Sequence, residues 1–208
     1  MENPPHDAEF WDERYRSAPA VWSGRPNPRL VEHAGDLAPG RALDVGCGEG
    51  ADVLWLAERG WQVTGVDLSQ VALDRAAGHV AQAGPDVAAR ATWERVDLLE
   101  WSPSETYDLV NVQFMHLPTP TLRSVHRRLA AAVRPGGTLL IVGHHPSDRE
   151  VGFERPRIAE MLFMPAAVAE SLGTGWEIMT AAAAPREATN PDGEVVTIHD
   201  TVVRAVRR

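Results

Sequence analysis

Short apolar runs alternate along this chain with stretches in which apolar residues recur at helical spacing. Arg41 to Val45, Gln62 to Val66, Ala91 to Val96 and Tyr107 to Gln113 are brief and aliphatic or β-branched, the length and texture of buried strands. Arg134-Pro135-Gly136-Gly137 followed by Thr138 to Val142 reads as a turn and a fifth strand, the glycine pair marking a helix stop. Between these runs, Ala51 to Arg59 carries Val53, Leu54, Leu56 and Ala57 at helical spacing, and Gly60 stands where a helix should end. Ser69 is the expected N-cap of a helix reaching about Gln82 and ending near Gly84. Thr119-Pro120 opens another to about Val133, and Pro165 begins one through Ser171. Near the end, Trp176 to Ala188 and Glu194 to Arg207 are extended runs joined by Asn190-Pro191-Asp192-Gly193. A tight turn between long strands makes them antiparallel. The alternation predicts an α/β fold with a doubly wound, mainly parallel sheet and a C-terminal antiparallel hairpin.

The first strand runs into Asp44-Val45-Gly46-Cys47-Gly48-Glu49-Gly50, and the second ends at Asp67. Glycines let the backbone turn sharply and approach a ligand with no Cβ in the way. An acid ending the second strand can accept hydrogen bonds from ribose hydroxyls, so the unit points to an adenosine-containing ligand. The spacing is G-x-G-x-G and not the G-x-G-x-x-G of dinucleotide binders. Asp44 at the lip of the turn would repel a pyrophosphate but suits a cation. S-adenosylmethionine carries an ammonium and a sulfonium. Cys47 reads as a small residue in a tight turn, since nothing cationic lies near it in sequence to activate a thiol.

Here the chain resembles the class I S-adenosylmethionine-dependent methyltransferases, whose first motif is an acid followed by G-x-G-x-G. The resemblance continues through Val96-Asp97-Leu98, Tyr107-Asp108-Leu109-Val110-Asn111-Val112-Gln113, the loop Phe114 to Pro118, and Arg134 to Val142. It implies a Rossmann-like sheet of seven strands and S-adenosylmethionine as cofactor. Asp44, Gly46, Cys47, Gly48, Asp67 and Leu68 would hold its methionine and ribose parts, Asp97 and Leu98 would lie by the adenine, and Gln113 near the sulfonium. Asp97 is open to a second reading as a turn residue. The start of the chain, with F-W-D-E-R-Y and then W-x-G-R-P-N-P, resembles the N-terminal cover of small-molecule methyltransferases. Asp7 is its expected helix N-cap, and Trp11, Tyr15 and Trp22 are the candidates to close over the cofactor. Residues 1–36 are thus expected to be a helical cover and residues 37–208 a single domain. In the order of cover, core and final hairpin, the chain most resembles the compact tellurite-resistance and thiopurine-type enzymes.

Gln113, His116 and the pair His144-His145 follow the fourth and fifth strands, at the sheet edge where the glycine turn lies. His116 and His144 are the candidate general bases, against the alternative that each satisfies only loop backbone. The stretch from Arg149 to Met164 reads as an insertion beside the active face. The Asp/Asn-Pro-Pro-aromatic motif of exocyclic-amine methylation is missing after strand four. A Pro-Cys nucleophile is missing too, since Cys47 is the one cysteine. That leaves small-molecule acceptors: a thiol, a chalcogen oxyanion, a hydroxyl or a phenol. An NAD-dependent oxidoreductase and a non-catalytic S-adenosylmethionine-binding module are the alternatives from other classes.

Composition narrows the partners. The 208 residues carry 20 basic and 29 acidic side chains, a net charge of −9, which repels phosphate and argues against nucleic acid. A single cysteine excludes a disulfide framework and fits a reducing cytoplasm. No signal peptide or membrane span is read, and no metal ligand set is assigned. The oligomeric state is left open between monomer and homodimer.

Overall fold

The computed structural model describes residues 7–115, 117–151, 161–190 and 192–208. Seven strands, β1 (Arg41–Val45), β2 (Gln62–Asp67), β3 (Ala91–Arg95), β4 (Tyr107–Gln113), β5 (Val133–His144), β6 (Trp176–Thr189) and β7 (Val195–Arg207), form one sheet. Their order is β3-β2-β1-β4-β5-β7-β6. The first five pair in parallel, and β7 pairs antiparallel with both β5 and β6. Strand order reverses between β1 and β4, so the carboxyl ends of those strands part and leave a crevice at the glycine turn.

Helices cover both faces. On one lie α2 (Pro28–Ala34), α3 (Ala51–Glu58) and α4 (Gln70–Gln82), which bury Leu30, Val53, Leu56 and Val80 against Leu109, Leu140 and Val202. On the other, α6 (Thr119–Ala131) and α7 (Pro165–Leu172) bury Leu122, Val125, Leu129 and Val168 against Leu43, Val110, Ile141 and Val203. Each fully buried side chain of this size contributes roughly 1.5–3 kcal/mol. The expected caps are present. Asp7 accepts from the Phe10 amide ahead of α1 (Ala8–Arg16), and the Ser69 hydroxyl accepts from the Ala72 amide. Gly60, at φ 90°, follows the end of α3.

Three details depart from the sequence reading. Residues Pro28–Ala34 form α2, capped by the Asn27 side chain with proline in its first turn. A single turn, α5 (Pro85–Ala88), follows Gly84. The Gly136-Gly137 pair does not stop a helix. The stop comes at Ala132, and the glycines lie inside β5 where its register with β4 shifts between Tyr107 and Leu109. A Cβ on Gly137 would lie 2.9 Å from the Arg134 carbonyl oxygen and 3.0 Å from that of Tyr107. Gly137 therefore lets the backbones of β4 and β5 approach closely. Among the described residues, no helix is long and apolar enough to cross a membrane.

Gly50 joins the glycine turn to α3 at φ 81°, and a Cβ there would lie 2.7 Å from the Cβ of Ala76 on α4. Gly50→Ala should cost about 2–4 kcal/mol through combined backbone strain and overpacking. A lowered urea midpoint with an unchanged m-value is the expected reading.

Candidate active site

The turn after β1 is built by backbone bonds to β2. The amides of Gly46 and Cys47 both donate to the Val66 carbonyl, at 2.8 and 3.0 Å. The Gly48 amide donates to Asp67 Oδ2 at 2.9 Å, and the Ser69 amide to Asp67 Oδ1 at 2.9 Å. Gly46 and Gly48 adopt φ of 70° and 53°, a left-handed region that favours glycine. Asp67 is thus aimed by two amides while each of its oxygens keeps a further lone pair. Burial raises its pKa, and the amide bonds oppose the rise.

Asp44 and Asn111 are Cα partners on β1 and β4, so their side chains meet on one face of the sheet. Asn111 Nδ2 donates to Asp44 Oδ1 at 2.7 Å and lies 3.3 Å from Oδ2 of Asp52, in the first turn of α3. Asp52 Oδ1 in turn accepts the Asn27 amide at 2.6 Å. Gln113 Nε2 donates to Asn111 Oδ1 at 2.6 Å. Two buried atoms of this network, Asp44 Oδ2 and Gln113 Oε1, have no hydrogen-bond partner among the described residues. Burial, and then the charge of Asp52, push the Asp44 carboxyl well above the ordinary range. Burial also raises Asp52. The Cys47 thiol is pushed up by burial and by Asp44 and Asp67, the opposite of activation. Asp44, Asp52 and Asp67 have no ion-pair partner among the described residues. Unpaired acceptors beside the glycine turn fit a ligand that brings positive charge.

The N-terminal segment sits directly over this turn. A Cβ on Gly48 would lie 3.0 Å from the Tyr15 hydroxyl and 3.4 Å from Trp22 Nε1, and that nitrogen donates to the Tyr15 oxygen at 3.0 Å. Trp11 packs on Tyr15 with ring centroids 6.3 Å apart. Two carboxylates anchor the segment. Glu49 Oε2 accepts the amides of Val21 and Trp22, both at 3.0 Å, and its Oε1 accepts from Arg75 at 2.8 Å. Burial raises the Glu49 pKa, but the bonds from Trp22, Arg75 and Val21 outweigh it and hold the group low. Asp12 Oδ1 accepts from the Ser69 hydroxyl at 2.5 Å, fixing α1 to the head of α4.

The Val96 amide donates to the Asp67 carbonyl, which sets Asp97 and Leu98 beside Asp67 and Leu68. Asp97 is exposed and caps its own turn, its Oδ1 accepting from the Leu99 amide. Leu98 packs on the core face that α6 covers. His144 is buried and stacks on Phe114 at 4.7 Å between ring centroids. His116 lies outside the described residues. Sequence reasoning missed Asp52, Glu49, Asp12 and Asn27 as parts of the site. Asp52 was indistinguishable from an ordinary acid at a helix start. The signal for Asn111 was its position two residues before Gln113, on the same face of one strand.

An open α/β sheet with a glycine turn and an acid-lined crevice at its switch point defines a binding domain for an adenosine-type ligand. Comparison with known proteins carries the assignment further. Residues 42–137 match the methyltransferase domain family. The probable thiol methyltransferase 2 of Arabidopsis thaliana is 30% identical over 148 residues, covering 68% of this chain and 64% of that protein. The ubiquinone biosynthesis O-methyltransferase of Bordetella avium is 41% identical over 110 residues, 52% of this chain and 44% of that protein. The chain therefore spans between about half and two thirds of the curated relatives it matches. TehB from Haemophilus influenzae shares the fold over 97% of this chain and 67% of its own, with a TM-score of 0.74 at 20% identity. These likenesses support a class I S-adenosylmethionine-dependent methyltransferase, with S-adenosylmethionine as the cofactor.

The carboxylates have a cost that pH reveals. A raised pKa in the folded protein means stability that is present below the ordinary aspartate value of 3.8 and lost as pH rises through the raised one. Asp44→Asn should therefore melt at a higher temperature than the parent at pH 8, in the absence of ligand. The gain should shrink as pH falls towards 4. Thermal scans across that range check it.

Proposed function

We propose that this protein transfers the methyl group of S-adenosylmethionine to a small-molecule nucleophile: a thiol, a chalcogen oxyanion, or a hydroxyl or phenol. The observation that carries the reading is the buried Asp44 carboxyl group at the end of β1, beside the glycine turn, with one oxygen that has no hydrogen-bond partner among the described residues. One relative is a probable thiol methyltransferase and another an O-methyltransferase of ubiquinone biosynthesis, and both names support a small acceptor.

In this reading Asp44, Gly46, Cys47 and Gly48 hold the methionine end, with the Gln113 amide towards the sulfonium. Asp67 and Leu68 take the ribose, and Asp97 and Leu98 the adenine. Residues 1–36 are the cover of a single domain spanning 37–208. Within the cover Trp11, Tyr15 and Trp22 exclude water, and their aromatic faces suit a cation. Leu30 and Ala34 of α2 anchor its far end in the core. The bound cofactor supplies an already activated methyl group. The chain's own contribution is alignment of the acceptor and exclusion of water. A base is needed only for an acceptor that still carries its proton.

Calorimetric titration with S-adenosylmethionine, S-adenosylhomocysteine and NAD tests the reading. Micromolar binding of the first two and none of NAD is expected. Tight binding of NAD alone would overturn it in favour of an oxidoreductase. Asp67→Ala should weaken S-adenosylmethionine by about 2 kcal/mol, or some thirtyfold. Unchanged affinity would mean that the ribose lies elsewhere.

A further inference from the structure

Strand β5 stops at His144, paired with Asp200 of β7. The β6–β7 hairpin continues for five more pairs, from Pro185–His199 to Thr189–Val195. At about 3.4 Å per residue, this arm rises roughly 17 Å beyond the sheet. Because β7 is antiparallel to β5, the arm stands at the carboxyl ends of the parallel strands, the side that holds the glycine turn. His199 lies at its base. The ends of β1, β4, β5 and β7 are neighbours, so Gly46 and His199 are three strand spacings apart across the sheet and three residues apart along it, about 17 Å in all. Between them the Met115 methyl comes within 3.9 Å of where a Gly46 Cβ would be.

A connected group of side chains occupies that base. The His145 amide donates to the His199 carbonyl at 3.2 Å, and the His199 amide to Asp148 Oδ1 at 2.9 Å. The hydroxyl of Ser147 lies 2.8 Å from His145 Nδ1 and 3.3 Å from His199 Nδ1, and the two imidazole centroids are 6.1 Å apart. The Ser147 amide also donates to His145 Nδ1 at 3.2 Å, so that nitrogen carries a lone pair. It follows that the Ser147 hydroxyl donates to His145 and accepts from His199 Nδ1–H. The chain runs in one direction, His199 to Ser147 to His145, and leaves the lone pair of His199 on Nε2. Among the described residues that nitrogen has no partner. Among the described residues, the charged groups nearby are Asp148, whose buried Oδ2 has no hydrogen-bond partner there, and Asp200, which is held by Arg29 and Arg186.

We propose that His199 is the general base for acceptors that carry a proton, with Ser147 and His145 as the relay that disperses the charge it gains. This inference rests on the methyltransferase reading above. The X–H bond of a hydroxyl or thiol breaks, its electron pair stays on X, and the proton bonds to His199 Nε2. The Nδ1 proton of His199 passes to Ser147 Oγ as the serine's own proton passes to His145 Nδ1. The result is one acceptor anion and one doubly protonated imidazole, on His145, from which the proton leaves to solvent. His199 is the catalytic residue of the group, and Ser147 and His145 are positioning residues.

The test compares a phenol with thiocyanate, an anion that has no proton to lose. His199→Gln should lower the ratio of phenol to thiocyanate turnover about 10²-fold, with the calorimetric affinity for S-adenosylmethionine held. Ser147→Ala should lower that ratio about tenfold and flatten the pH dependence of phenol turnover. Equal losses with both acceptors or an unchanged ratio would each overturn the relay. A parent protein that binds no S-adenosylmethionine overturns the methyltransferase reading itself, whereas binding with an unchanged ratio overturns only the relay.

Discussion

Buried negative charge at the carboxyl ends of β1 and β2 is the constraint around which the rest is arranged. Asp44 is almost wholly buried, next to Asp52 and near Asp67, and no basic side chain pairs with any of the three among the described residues. Such a cluster opposes folding, because each carboxylate gives up water without a full replacement. It persists because two apolar cores on opposite faces of the sheet supply the stability, and because one amide, Asn111, is shared between Asp44 and Asp52. A ligand with positive charge turns that deficit into affinity. The same cluster keeps Cys47 a thiol, which suits a turn that needs only a small side chain.

Coupling between this turn and its cover follows from Glu49. The residue sits inside the glycine turn, yet its carboxylate holds the backbone of Val21 and Trp22 and pairs with Arg75 of α4. Any shift of the turn is therefore felt by the cover through bonds to main chain and not only through side-chain packing. Asp12 repeats the device at the head of α4. Carboxylates thus do two kinds of work within a few residues of each other. At Asp12 and Glu49 the bonds to several donors outweigh burial and hold the groups low, whereas at Asp44, Asp52 and Asp67 burial outweighs the bonds and raises them.

The far edge of the sheet is organised by a different ionic group. Asp200 of β7 receives Arg29 at 3.1 Å and Arg186 at 2.8 Å, and Arg29 also donates to the carbonyls of Ala184 and Pro185. The start of α2 is thereby tied to the point where the β6–β7 arm leaves the sheet. Pro185 lies at that point on an edge strand, where a missing N–H is tolerated. The arm and the cover then rise from one anchored corner, on either side of the strand ends.

Much of this was legible in the chain itself. The five parallel strands, the caps at Asp7 and Ser69, the antiparallel hairpin and the acids at Asp44 and Asp67 could all be read directly, because strand length, helical period and turn chemistry are local properties. What only the tertiary structure decided is which side chains meet. Asp52 joins Asp44 because α3 folds back over β1. Glu49 reaches Trp22 because the first residues double over the turn, and His199 meets His145 through a pairing across 54 positions of sequence. Gly137 shows the same limit from the other side, since the glycine pair signalled a break but not that the Tyr107 carbonyl of the neighbouring strand would fill the space of its missing side chain. Local patterns specify elements through the covalent geometry of a few consecutive residues. The charges that make a site are brought together by sheet order, and sheet order depends on burying both faces of the whole chain at once.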